Sequence, residues 1–247
     1  MATTRPIIQA VKNGHIEAVE LLLQLRAKPC WWCAKHAIMR DDIAMLKLLV
    51  SYSAMPMCDD YLRSAAIHGS MNVGRYMIEQ GVNVSDASYT GCTALHYAIT
   101  NGHASFVKLI LDNNPSQEDI HMASYTLGSM TTYECIQHLM DYGIDVWPMA
   151  FLAVEDNRYD MVEWLLDHAI DINVRDDDAK YTLLHAAVVS AAHQDPYDIV
   201  KLLIDRDIDV YALDVNGNAA YDLAYNGEFG PHIVRIIELL ESYHHYE

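Results

Sequence analysis

Residues 89–114 read Y-T-G-C-T-A-L-H-Y-A-I-T-N-G-H-A-S-F-V-K-L-I-L-D-N-N, and the reading of this stretch decides the fold. Thr93 suits an N-cap, because its hydroxyl can accept a bond from an otherwise orphan amide of the first helical turn. Leu95, Ala98 and Ile99 follow at i, i+3 and i+4, which draws one apolar stripe along a short helix. Gly102 is placed to take the left-handed conformation that closes it. Val107, Ile110 and Leu111 repeat the spacing in a second helix. Neither helix is long enough to be stable alone in water, so the pair must bury its apolar faces against neighbours.

The neighbours are copies of the pair. Thr182-Leu183-Leu184-His185-Ala186-Ala187-Val188 repeats the T-x-L-H-x-A pattern of Thr93 to Ile99, and Ala219-Ala220-Tyr221-Asp222-Leu223-Ala224 is a weaker copy. Upstream, Ile7 to Val11 runs into Asn13-Gly14-His15, and Leu62 to Ala66 runs into Gly69. Ala65 and Ala98 are 33 residues apart. A period near 33 with T-P-L-H-x-A is the signature of ankyrin repeats, and the chain resembles that family over essentially its whole length.

The resemblance implies an all-α ankyrin-repeat solenoid of about seven to eight helix-pair units with a few β-hairpin fingers, a single domain over residues 1–247. Counted from the first buried position, the anchors are Ala10, Ala37, Ala65, Ala98, Leu127, Ala153, Ala187 and Ala224, spaced by 27, 28, 33, 29, 26, 34 and 37. The approximate units are 1–29, 30–56, 57–84, 85–115, 116–145, 146–173, 174–210 and 211–247. A spacing near 33 leaves room for two helices and an extended turn, whereas 26 to 29 does not. Full-length fingers are therefore expected only around 84–92, 173–182 and 210–220. The second unit has Asp41 in place of the helix-closing glycine. The fifth has Leu127 where alanine belongs, which should push helices apart or shift the register. Pro196 is placed to start the second helix of the seventh.

Bulk chemistry narrows the function. Sixteen Lys and Arg against 34 Asp and Glu give a net charge of −18, a surface that repels phosphate backbones, so nucleic acid is not the expected partner. No apolar run approaches the ~18 residues of a membrane helix. Five cysteines (Cys30, Cys33, Cys58, Cys92, Cys135) make an odd count without a disulfide-scaffold spacing and read as reduced thiols. Cys30-Trp31-Trp32-Cys33 is a C-x-x-C with His36 three residues on. A zinc site wants two such pairs and a redox pair a βαβ setting. With neither present, these cysteines read as buried or incidental. His193-Gln194-Asp195 lacks a nucleophile elbow. Asp176-Asp177-Asp178 lacks the spacing of a calcium loop and is either a contact for a partner's Lys or Arg or a solvated turn. No catalytic, cofactor or metal residue is assigned.

The resemblance supplies the remaining roles. His96 and His185 sit where the family uses the ring to tie hairpin to helix, and His15 and His103 follow the turn glycine. The concave face collects residues beside the motif alanine and after the first helix: Met39, Arg40, His68, Tyr97, Asn101, Glu155 and Asp156. With Trp31, Trp32, Tyr89, Asp176, Asp177, Asp178 and Tyr181 they form the candidate partner-binding set, since aromatics and Arg are the usual interface anchors. If residues 31 and 32 are extended, at most one tryptophan packs inward and the other is an anchor.

The implied function is protein recognition without catalysis or cofactor. A monomer would dock a partner protein carrying a basic patch, in the cytoplasm and away from nucleic acid and membrane. The chain looks similar to ankyrin proteins of intracellular bacteria and large DNA viruses that bind host factors, which would make it an effector in the host cytoplasm. The competing readings are an enzyme hidden in the degenerate middle repeats and a fixed regulatory subunit of a larger assembly. Reversing Asp176, Asp177 and Asp178 to Lys is expected to weaken partner capture while leaving thermal unfolding nearly unchanged; a pull-down paired with a melt checks both.

Overall fold

A short helix with one apolar stripe can bury that stripe only on another helix, and the described residues form sixteen helices in eight consecutive pairs. The computed structural model describes residues 4–52, 59–168, 170–227 and 232–244; Cys58 and the tail residues 245–247 lie outside them. By contact the chain divides into two compact units, Met1–Ile144 and Asp145–Glu247.

The first unit holds five pairs: α1 (Thr4–Lys12) with α2 (Ile16–Gln24), α3 (Trp31–Met39) with α4 (Ile43–Tyr52), α5 (Asp59–His68) with α6 (Met71–Glu79), α7 (Ala94–Thr100) with α8 (Ala104–Leu111), and α9 (Gln117–Ser124) with α10 (Tyr133–Asp141). First helices pack on first helices and second on second, each on its nearest neighbour, which is how a repeat stack grows without a central core. The second unit stacks three pairs in the same way: α11 (Trp147–Glu155) with α12 (Tyr159–His168), α13 (Leu183–Ser190) with α14 (Tyr197–Asp205), and α15 (Ala220–Asn226) with α16 (Ile233–His244).

The seam is made of the anchor alanines and their i+1 and i−3 partners. Ala37, Ala65, Ala98, Ala153 and Ala187 are fully buried, as are Leu95, Ile99, Val107 and Ile110. Thr93 caps α7 by accepting from His96 N at 3.5 Å. Gly102 closes it at φ +72, and a side chain there would run into the carbonyl oxygen of Met130. Asp41 stands at the same turn with φ +53. Its carboxylate accepts from Asn72 N, Asn72 Nδ2 and Val73 N of the next repeat at 3.1, 2.8 and 2.8 Å, which offsets the cost of a left-handed non-glycine residue. Asn157 does likewise at φ +53, donating to Asp195 O.

A second bond between repeats recurs at a fixed position. The carbonyl one residue before the end of a first helix accepts a side chain from the next repeat: Ser70 Oγ to Ile38 O at 2.6 Å, His103 Nε2 to Ile67 O at 3.0 Å, and Thr131 Oγ1 to Ile99 O at 2.9 Å. In the second unit Gln194 Nε2 reaches Val154 O at 3.3 Å. Last-turn carbonyls have no partner inside their own helix, so the neighbouring repeat supplies one.

Several expectations are revised. In the fifth pair α9 ends at Ser124, and residues 125–132 form a long loop before α10. Ala123 is buried in the seam, and Leu127 is a half-buried loop residue rather than a helix anchor. Pro196 is the N-cap of α14, one position outside the helix. The three fingers form as hairpin turns closed by Ser88 N to Cys92 O, Asp176 N to Tyr181 O and Asp214 N to Asn218 O, each 2.9 Å. Among the described residues the only isolated β-bridge pairs Arg175 with Thr182.

Ala98→Leu should overfill this seam and lower stability by about 1–3 kcal/mol, read as a lower urea midpoint with unchanged slope.

Candidate groove of the first unit

The first helices of three successive repeats present one face each to a common groove. On α3 the face carries Trp31, Lys35 and Ile38, at i, i+4 and i+7; on α5 it carries Asp60, Ser64 and Ile67 at the same spacing, with His68 beside them. Tyr97 contributes from α7, and the finger supplies Ala87, Ser88 and Tyr89 as a rim. The groove encloses about 930 Å³. Trp31 is 49% exposed and Tyr89 fully exposed, so both aromatic surfaces face solvent.

One buried cation holds the rim in place. Arg63 Nη1 donates to Asp86 O at 2.9 Å and to Asp86 Oδ2 at 2.7 Å, while Nη2 pairs with Asp60. Burial opposes its charge, but the two carboxylates outweigh burial and the guanidinium pKa is raised. Finger and helix are thereby clamped together across 23 residues of sequence. Nothing local in the sequence marks Arg63, which is why it was not among the expected site residues. Lys35 is the other cation of the groove, with Nζ 5.5 Å from the ring centroids of both Trp31 and Trp32. His68 is held below its ordinary pKa by burial, then by the charge of Lys35 and by His103.

Trp31 and Trp32 lie in the first turn of a helix, so the strand-like alternation expected of them does not apply. Both are about half exposed, with ring centroids 4.2 Å apart. Of the candidate residues, the structure gathers Trp31, His68, Tyr89 and Tyr97 in the groove. Met39 is exposed on α3. Arg40 lays its guanidinium against Gly14. Asn101 spends its side-chain amide on Tyr97 O at 2.8 Å. Glu155, Asp156, Asp176, Asp177, Asp178 and Tyr181 belong to the second unit. There Asp176 Oδ1 accepts from Tyr181 N at 3.0 Å, and Tyr181 stacks on His185. Those two close the finger, which leaves Asp177 and Asp178 as its exposed carboxylates and as the pair whose reversal tests contact without opening the turn.

Asp60, Ser64 and His68 share a face of α5 at i, i+4 and i+8, a sequence that invites a triad reading. However, Ser64 Oγ is buried without a hydrogen-bond partner and Asp60 is engaged by Arg63, so no base reaches the hydroxyl and no carboxylate orients the base. Among the described residues no group of three or more His, Cys, Asp or Glu could hold a metal ion. Nor is any helix there long and apolar enough to cross a membrane.

The chain belongs to the ankyrin-repeat family: the model described as "Ankyrin repeats (3 copies)" matches residues 32–124 and 120–216. It is 23% identical over 188 residues to an ankyrin repeat protein of fowlpox virus (strain NVSL), covering 73% of this chain and 28% of that protein. A second fowlpox virus ankyrin repeat protein is 28% identical over 135 residues, covering 50% and 31%. The chain thus spans about a third or less of the length of these relatives. The human ASB11 ankyrin repeat domain superposes with a TM-score of 0.61 at 20% identity, covering 84% of this chain and 96% of that one, which shows the shared fold. Ankyrin repeats are generally protein–protein interaction modules, and the family and fold are typically non-enzymatic.

Of the two motif histidines, His185 ties a finger to its helix as the family resemblance implied, and His96 does not. His185 Nδ1 accepts from Thr182 N at 3.2 Å, and Nε2 meets Asn218 O of the next finger at 3.1 Å. His96 faces a repeat without such a finger and instead meets Thr126 Oγ1 at 3.3 Å. Burial holds both rings below the ordinary value of 6.5, and at His185 it outweighs the opposing bond to Asn218 O. A depressed histidine pKa contributes stability that is complete above the unfolded value, about 6.5, and is lost as pH falls toward the folded value. The melting temperature should therefore drop as pH falls through about 6.5, and His185→Gln should flatten part of that slope in a calorimetric pH series.

Proposed function

We propose that the chain is a non-catalytic recognition module that seats a segment of a partner protein in the groove of the first unit. The observation that carries this reading is a groove of about 930 Å³ whose exposed aromatics sit on packed helices and a clamped finger. Lys35 suits a carboxylate at the edge of an otherwise apolar segment. Asp177 and Asp178 of the second unit are a separate acidic contact for a basic patch on the partner.

The likeness to fowlpox virus ankyrin repeat proteins supports a host protein as that partner and the host cytoplasm as the place of encounter. The module acts as a monomer. A fixed subunit of a larger assembly would instead be poorly soluble alone through its exposed apolar surface.

Capture from host-cell lysate with the immobilised chain and with Trp31→Ala/Tyr89→Ala, quantified by mass spectrometry, tests the groove. Both side chains are exposed, so the double variant should melt like the parent. At least one captured protein should fall by about tenfold or more, as loss of an aromatic anchor implies. An unchanged set at unchanged yield would remove the groove from the interface.

A further inference from the structure

The two exposed tryptophans of α3 are bracketed by Cys30 and Cys33, whose sulfurs lie 3.9 Å apart. Cys30 is the N-cap of the helix, in extended conformation and without a side-chain capping bond, and is partly exposed. Cys33 is the third residue of the helix and is fully buried. Its amide donates to Cys30 O at 2.8 Å, which fixes the first turn and holds the two side chains on one side of it. One thiol of the pair is therefore reachable from solvent, and the other is reachable only from the first.

The geometry points to Cys30 and Cys33 as a thiol–disulfide exchange site that takes a small-molecule disulfide of the glutathione class. The Cys30 thiolate attacks one sulfur of oxidised glutathione, forming a mixed disulfide and releasing one glutathione thiolate. The Cys33 thiolate then attacks Cys30 Sγ, forming the Cys30–Cys33 bond and releasing the second glutathione. Two electrons pass from the protein dithiol to glutathione, and the two thiol protons go to solvent and then to the leaving thiolates. The sulfurs need only close from 3.9 Å to about 2 Å.

The order of attack follows from burial. Burial pushes the Cys33 thiol up to about 11, which makes it a slow first nucleophile at neutral pH. The bond would be made under Trp31 and Trp32 in the first turn of the groove wall. The exchange site does not depend on the groove being a docking surface, because its test reads sulfur chemistry alone.

The test treats the reduced full chain with excess oxidised glutathione at neutral pH, then blocks free thiols and assigns sulfur states by peptide mass spectrometry. The expected result is a Cys30–Cys33 disulfide with little glutathione retained on either residue. Cys33→Ser should stop at a stable glutathione adduct on Cys30, with Cys33→Ala as a second variant should serine disturb the buried site. Cys30→Ser keeps a good N-cap, and its Cys33 should react at least ~10-fold more slowly than Cys30 does in Cys33→Ser. Absence of the intramolecular bond in the parent chain would overturn the proposal, as would Cys33 reacting as fast as Cys30.

Discussion

The first helices α3, α5, α7 and α11 each carry, one residue before their end, a carbonyl whose remaining lone pair is filled by a side chain of the following repeat. Ile38, Ile67 and Ile99 occupy the same place in α3, α5 and α7, and their donors are a serine, a histidine and a threonine. One such bond contributes on the order of 1 kcal/mol net, less than burial of a single isoleucine. Its importance is registry. Apolar faces draw adjacent pairs together without direction, whereas a bond to one named carbonyl sets how far one pair slides along the next. Asp41 and Asn157 add a second directional link at turns where glycine would give none.

The groove is a consequence of that registry. Trp31, Lys35 and Ile38 come to face Asp60, Ser64 and Ile67 because α3 and α5 are locked side by side, and Tyr97 follows on α7. The finger is then brought over this surface by Arg63 and its two carboxylates. The surface proposed for recognition needs fixed placement, and the helices α3, α5 and α7 that carry it are each bonded to the following repeat.

The units around Thr93 and Thr182 were legible in the sequence because the N-cap and the apolar stripe agree at both, with a closing glycine, Gly102, at the first. The fifth was misread for a definite reason: residues 125–132 form a long loop pinned by Thr126 and Thr131, so the buried alanine lies four residues earlier, at Ala123 rather than 127. The fingers were placed correctly by spacing alone. The site was only partly legible. Helix position put Tyr97 and His68 on the right face, but it could not show that Asn101 is spent on the backbone or that Arg40 covers Gly14. Arg63 was invisible because its partner Asp86 is distant in sequence, and the closeness of Cys30 to Cys33 depended on the helix beginning two residues before Cys33.

If helix pairs owe their existence to their neighbours, they should open together. Native-state hydrogen exchange of the full chain at rising, sub-denaturing urea measures this most directly. The expected result is that the most protected amides of α3, α5 and α7 converge on one opening free energy. A single pair that stays protected after the pairs on both sides have exchanged would contradict the account.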